Sequence, residues 1–193
     1  MNPLHPKYLA LLVAFLCVAA AAVPGQRRDF LTENEIEIVR DAQDIDARVV
    51  ALSRMIDRRF FVLGINVNGW KDAGKASDTW GALPEGTRVQ LFNDIKKILQ
   101  KAVDDIDNLA ANPNAAPIRD KGDKRAKKDP GRFAVAVREL GTAANRYRPV
   151  LADEVERSKD EVERGAMIYT IELCDQIIEA VGKLPPEPTK TKN

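Results

Sequence analysis

TENEIEIVRDAQDIDARVVALSRMIDRRFFVLG, residues 32–64, decides between helix and strand. Apolar residues fall at Ile38, Ala42, Ile45, Val49, Leu52, Ile56, Phe60 and Leu63, in steps of three or four. A strand would step by two, so this stripe predicts a helix. Thr32 and Glu35 have the T-x-x-E spacing of a capping box, which satisfies two backbone N–H groups at a helix start. Acidic residues Glu33 to Asp46 crowd the beginning, and Arg54, Arg58 and Arg59 the end, as the helix dipole favours. Gly64 supplies a stop. The expectation is one unbroken helix, A, over 33–63.

Downstream the same reasoning yields three more helices. Residues 64–83, GINVNGWKDAGKASDTWGAL, hold no period and form a long loop containing Trp70 and Trp80. Helix B is expected to start near Pro84, a residue suited to a first turn, with a stripe of Phe92, Ile95, Leu99, Ala102, Ile106 and Leu109. Asn112-Pro113 ends it, and 112–129 form a second long connection. Asp129-Pro130 reads as N-cap and first residue of helix C, whose stripe runs from Phe133 through Val137, Leu140, Ala144, Tyr147 and Leu151 to Val155. Pro149 lies between stripe positions, so it falls on the outer side of that helix or begins a separate one. Ser158 and Glu161 suggest a capping box for helix D, 159–182. Its two adjacent stripes, through Met167, Ile171, Cys174, Ile178 and Val181 and through Ala166, Tyr169, Leu173, Ile177 and Ala180, point to its C-terminal half as the most buried helical surface. The expected fold is all-α: a four-helix up-down bundle over 26–184 with long A–B and B–C loops and a disordered tail, 185–193.

Residues 1–25 read as a signal peptide. Lys7 precedes an apolar run from Tyr8 to Val23, and Ala19 to Ala22, Pro24 and Gly25 follow the pattern of a cleavage region after Ala22 or Gly25. The expected location is secreted or periplasmic, with an N-terminal membrane anchor if the leader is uncleaved. Residues 26–193 contain 29 basic and 29 acidic side chains, a balance that speaks against a nucleic-acid binder. Loss of the leader removes His5 and Cys17, leaving Cys174 as the single thiol and no histidine. That composition excludes Ser-His-Asp and Cys-His catalysis, histidine-ligated zinc and haem, and any intramolecular disulfide. No phosphate-cradling glycine motif, nucleophile elbow or EF-hand loop is present. We therefore expect no catalytic residues, no metal and no cofactor.

Two surfaces remain as candidates. Trp70 and Trp80 with Asn66 and Asn68 have the aromatic faces and amides of a sugar- or peptide-binding loop, although indoles that pin a long loop to the bundle end explain them more simply. Residues 119–132 carry seven basic and three acidic side chains, and Lys124, Arg125, Lys127 and Lys128 suit an anionic lipid or acidic partner, or a solvated linker. The acidic residues of 33–46 and 153–163 are interleaved with arginines and read as solvated helix faces. Cys174 sits in an apolar stripe and reads as buried and inert.

The run EIEIVRDAQDIDARV (35–49), with VREL (137–140), ANRY (144–147), ERGA (163–166) and IELCDQIIEAV (171–181), resembles uncharacterised exported helical-bundle proteins of bacteria. The resemblance implies an all-helical domain and carries over no functional residue. Together these features predict an exported, non-enzymatic protein of the cell envelope with a structural or protein-interaction role, self-association included. The alternative is a periplasmic small-ligand-binding or sensor domain built on the Trp70/Trp80 loop.

Overall fold

The computed structural model describes residues 28–70, 79–112 and 131–186. Among them it contains five helices and no strand: α1 (Glu33–Asp41), α2 (Ile45–Val62), α3 (Arg88–Ala111), α4 (Gly131–Arg157) and α5 (Glu161–Gly182). The leader, most of the C-terminal tail and the residues Lys124, Arg125, Lys127 and Lys128 lie outside the described residues, as do Asp129 and Pro130.

The capping box at Thr32 and Glu35 forms as its spacing predicts. The helix it starts, however, is not continuous to residue 63. It ends at Asp41, Ala42 turns to ψ 78°, and Gln43 N–H reaches back to the Asp41 carbonyl. The Arg48 side chain then donates to the Ala42 carbonyl at 2.9 Å, satisfying an acceptor that the break exposes. The stripe gives the period on both sides of the break but not the direction of the axis. Glu35 lies within hydrogen-bonding distance of Arg58, 2.8 Å away. In an unbroken helix those residues would sit about 35 Å apart, so α1 folds back along α2.

Three further boundaries differ from expectation. Helix α3 begins at Arg88, not near Pro84, because Thr87 and Gln90 form a reciprocal capping box. Pro84 is instead buried in the lead-in, and Gly86 takes φ 153° ahead of the cap. Helix α5 is capped by Asp160, whose carboxylate accepts from Val162 and Glu163 N–H, while the Ser158 hydroxyl only accepts from Asp160 N–H. Asp is at least as good a cap as Ser, and here it occupies the position directly before the helix. Helix α4 runs unbroken through Pro149, which is exposed, so the missing N–H faces away from the core.

The four long helices share one core. Helix α2 packs on α3 and α4, and α5 packs on the same two. Leu52, Met55, Ile56 and Phe60 of α2, Phe92, Ile95 and Leu99 of α3, Leu140, Tyr147 and Leu151 of α4, and Met167 and Cys174 of α5 are fully or almost fully buried. The most continuously buried helical stretch is Met55–Phe60 of α2 and not the C-terminal half of α5. In α5 Tyr169 and Ala180 are exposed, because among the described residues two helices cover it, whereas α1 and the loop before α3 also cover the end of α2. Gly141 of α4 permits that helix to approach α5 closely: a Cβ there would overlap the Val181 side chain.

Candidate functional site

The polar machinery of the molecule gathers where α2 ends. Arg59 lies three residues after Ile56 and four before Leu63, so it falls on the apolar stripe and must turn inward. Its neighbour Arg58 is also fully buried. Two buried guanidiniums require an anion, because an unpaired charge in a low-dielectric interior costs on the order of several kcal/mol. Glu35 of α1 supplies it. One carboxylate oxygen accepts from Arg58 at 2.8 Å and Arg59 at 2.5 Å; the other accepts from Arg59 at 2.6 Å and from the Thr32 backbone at 3.0 Å. Arg59 also donates to the Phe30 and Met55 carbonyls, and Arg58 to those of Ala82 and Gly81. The Nε atoms of both arginines have no hydrogen-bond partner. Burial lowers the pKa of Arg58 from its ordinary value, partly offset by Glu35.

Trp70 and Trp80 meet at this cluster. Their rings stand edge to face, with centroids 5.5 Å apart, and each centroid lies 5.5 Å from the Arg58 guanidinium. The loop between α2 and α3 is thereby fastened to the bundle end by cation–π and aromatic contacts. Asn66 and Asn68 are exposed and make a local turn, Asn68 N–H donating to the Asn66 side chain at 2.9 Å, with Asn68 at φ 55°. Asn66, Asn68 and Trp70 line a concavity of about 320 Å³ with Asp57 and Phe61, whereas Trp80 lies outside its lining.

Asp57 forms the floor of that concavity and is tied from α4: Arg146 donates to it at 3.1 and 3.3 Å, and Tyr147 O–H at 2.8 Å. Arg146 also holds the Val67 carbonyl at 2.9 Å. Gly69 brings the loop backbone against this pair, since a Cβ there would overlap both Asp57 and Arg146. Burial pushes the Asp57 carboxyl above the ordinary aspartate value, against the lowering influence of Arg146 and Tyr147. Burial also raises the Tyr147 phenol well above its ordinary range, with Asp57 adding to the effect.

The remaining buried acids follow the same rule. Asp94 of α3 accepts from Arg28 at 3.0 and 2.7 Å, and burial raises its pKa. Arg88 bridges Glu154 of α4 and Glu163 of α5, at 2.8 Å to the latter. Thus each buried carboxylate among the described residues has an arginine on it. Cys174 is buried, and desolvation pushes its thiol up to about 12, with Asp175 adding to it. Among the described residues no three or more His, Cys, Asp or Glu side chains are grouped so as to hold a metal ion, and no helix is long and apolar enough to cross a membrane.

The sequence pattern singled out Trp70, Trp80, Asn66 and Asn68 but not the charged residues that the indoles cover. Arg59 on the stripe was the legible signal; Glu35 was not, because it is already explained as a capping residue. Comparisons with protein-family models, curated proteins and solved structures find no match to the chain.

Proposed function

We propose that this is an exported, non-enzymatic helical-bundle protein of the cell envelope with a structural or protein-interaction role. The observation that supports the non-enzymatic part is the pairing of every buried acid among the described residues with an arginine; export rests on the leader-like sequence of residues 1–25. General acid–base work needs a carboxyl free to exchange protons with a substrate. Here the buried carboxylates bind helices to one another or, for Asp94, to the segment before α1, and the buried thiol stays protonated at neutral pH.

We read the architecture as a four-helix up-down arrangement. Arg48, early in α2, faces Asp105, late in α3, and Arg132, early in α4, faces Asp44 and Asp46. Arg88, early in α3, meets Glu154, late in α4, and Glu163, early in α5. These links support alternating directions, with α3 and α4 on a diagonal of the bundle.

Export is tested by expressing the full chain in a Gram-negative host and fractionating it. A mature protein in the envelope beginning at Val23 or Gln26 supports the proposal, and an intact chain confined to the cytosol overturns it.

A second reading, small-ligand binding at the Trp loop, is supported by the concavity beside Trp70. Trp70→Ala with Trp80→Ala separates the two. A lower Tm for the double variant favours a clamp on Arg58; unchanged Tm with loss of sugar or peptide binding favours the ligand site.

A further inference from the structure

The apolar stripe passes through the break between α1 and α2 as if the break were absent: Ile38, Ala42, Ile45 and Val49 keep steps of four, three and four. Asp41 to Ile45 contain neither Gly nor Pro, and Asp44, though placed as N-cap of α2, makes no side-chain capping hydrogen bond. Locally the break is supported by Arg48 on the Ala42 carbonyl and Gln43 on the Arg40 carbonyl, but no residue there forbids a helix. The fold-back is held from a distance, by Glu35 on Arg58 and Arg59, by the Phe30 carbonyl on Arg59, and by Arg28 on Asp94. Among the described helices α1 packs on α2 alone.

An arm joined by a short hinge and seated by bonds that any copy can supply meets the conditions for exchange between identical chains. We propose that residues 28–41 are an exchangeable arm and that the Arg58/Arg59 seat also accepts this arm from a second copy of the chain. In the open form, residues 33–62 make one continuous helix. Two such helices, laid antiparallel so that Glu35 of each meets Arg58 and Arg59 of the other, cross about midway between those positions, near residue 47. That point lies just past the hinge, so each bundle falls at an opposite end of the pair and the bonds of Glu35, Phe30 and Arg28 to the seat are made again across copies, while the Ala42 carbonyl accepts within the continuous helix instead of from Arg48. An open copy by itself would leave two buried guanidiniums without their carboxylate, so the seat has to be filled. The closed monomer wins when the chain is dilute, because its own arm is at high effective concentration. The inference deepens the interaction role proposed above but does not depend on export.

The test is refolding of the purified protein from denaturant at high and low concentration, followed by size-exclusion chromatography with light scattering. The wild type should yield a dimer at high concentration and a monomer at low concentration. A flexible Gly-Ser insert between Gln43 and Asp44 leaves the seat intact and relaxes the hinge, so it should return the protein to monomer. Glu35→Ala should lose the dimer as well. A wild type that is monomeric under both conditions, or a dimer that the insert does not diminish, would overturn the proposal.

Discussion

Glu35 illustrates how one side chain serves two scales. Its carboxylate closes the capping box of α1 and neutralises two arginines that belong to α2. Cys174 shows the opposite case, a reactive group silenced by its surroundings. With its thiol pushed up to about 12, almost no thiolate exists at neutral pH. We expect Cys174 to react with Ellman's reagent only after denaturant is added; rapid labelling of the native protein would contradict its burial. Asp57 has its carboxyl raised above the ordinary 3.8, mainly by burial. As pH falls, the folded state takes up this proton before the unfolded chain does. The contribution is complete below the unfolded value and is lost as pH rises through the folded one. Wild type should therefore gain stability relative to Asp57→Asn as pH is lowered from about 7 to about 4. A relative loss over that range, read from paired thermal melts, would show that the carboxylate is favoured in the folded state.

At the scale of elements, helix existence was legible because apolar spacing reports which face is buried. The stripes of α3 and α4 are buried nearly residue for residue. Helix ends were less legible because several residues compete to cap. Thr87 with Gln90 outweighs Pro84, and Asp160 outweighs Ser158, since the residue adjoining the first turn makes the shortest route to its orphan N–H groups. The break at Ala42–Asp44 was not legible because the fold-back is held by bonds from Glu35 to Arg58 and Arg59, 23 and 24 residues further along the chain. Gly141 offers a test of helix–helix packing. Gly141→Ala gains helix propensity but drives a methyl into Val181, and we expect a net loss of about 1 kcal/mol or more. In a Val181→Ala background the same change should become stabilising by about 0.5–1 kcal/mol. Equal effects in both backgrounds, measured by urea unfolding, would show that α4 and α5 do not meet there.

For the whole molecule, the core and the bundle end at Met55–Trp70 differ in kind. The middle is closed by aliphatic and aromatic side chains, whereas the end at Met55–Trp70 is closed by an ionic lattice that joins α1, α2 and α4 and the following loop. Charge counts exposed none of this, because a neutral balance says how many ions there are and not which are buried. Trp70 and Trp80 stood out in the sequence as large aromatics in a long loop; their partner Arg58 did not, since a lone cation at a helix end already has a dipole to explain it. This lattice fastens the fold at that end. The most direct measurement is a mutant cycle in urea comparing wild type, Glu35→Ala, Arg58→Ala with Arg59→Ala, and all three changes together. We predict that Glu35→Ala costs about 3–5 kcal/mol and that removing the arginines as well adds much less than their separate loss, because the charges are then removed as a set. Losses that simply add, or a Glu35→Ala variant as stable as wild type, would contradict the account.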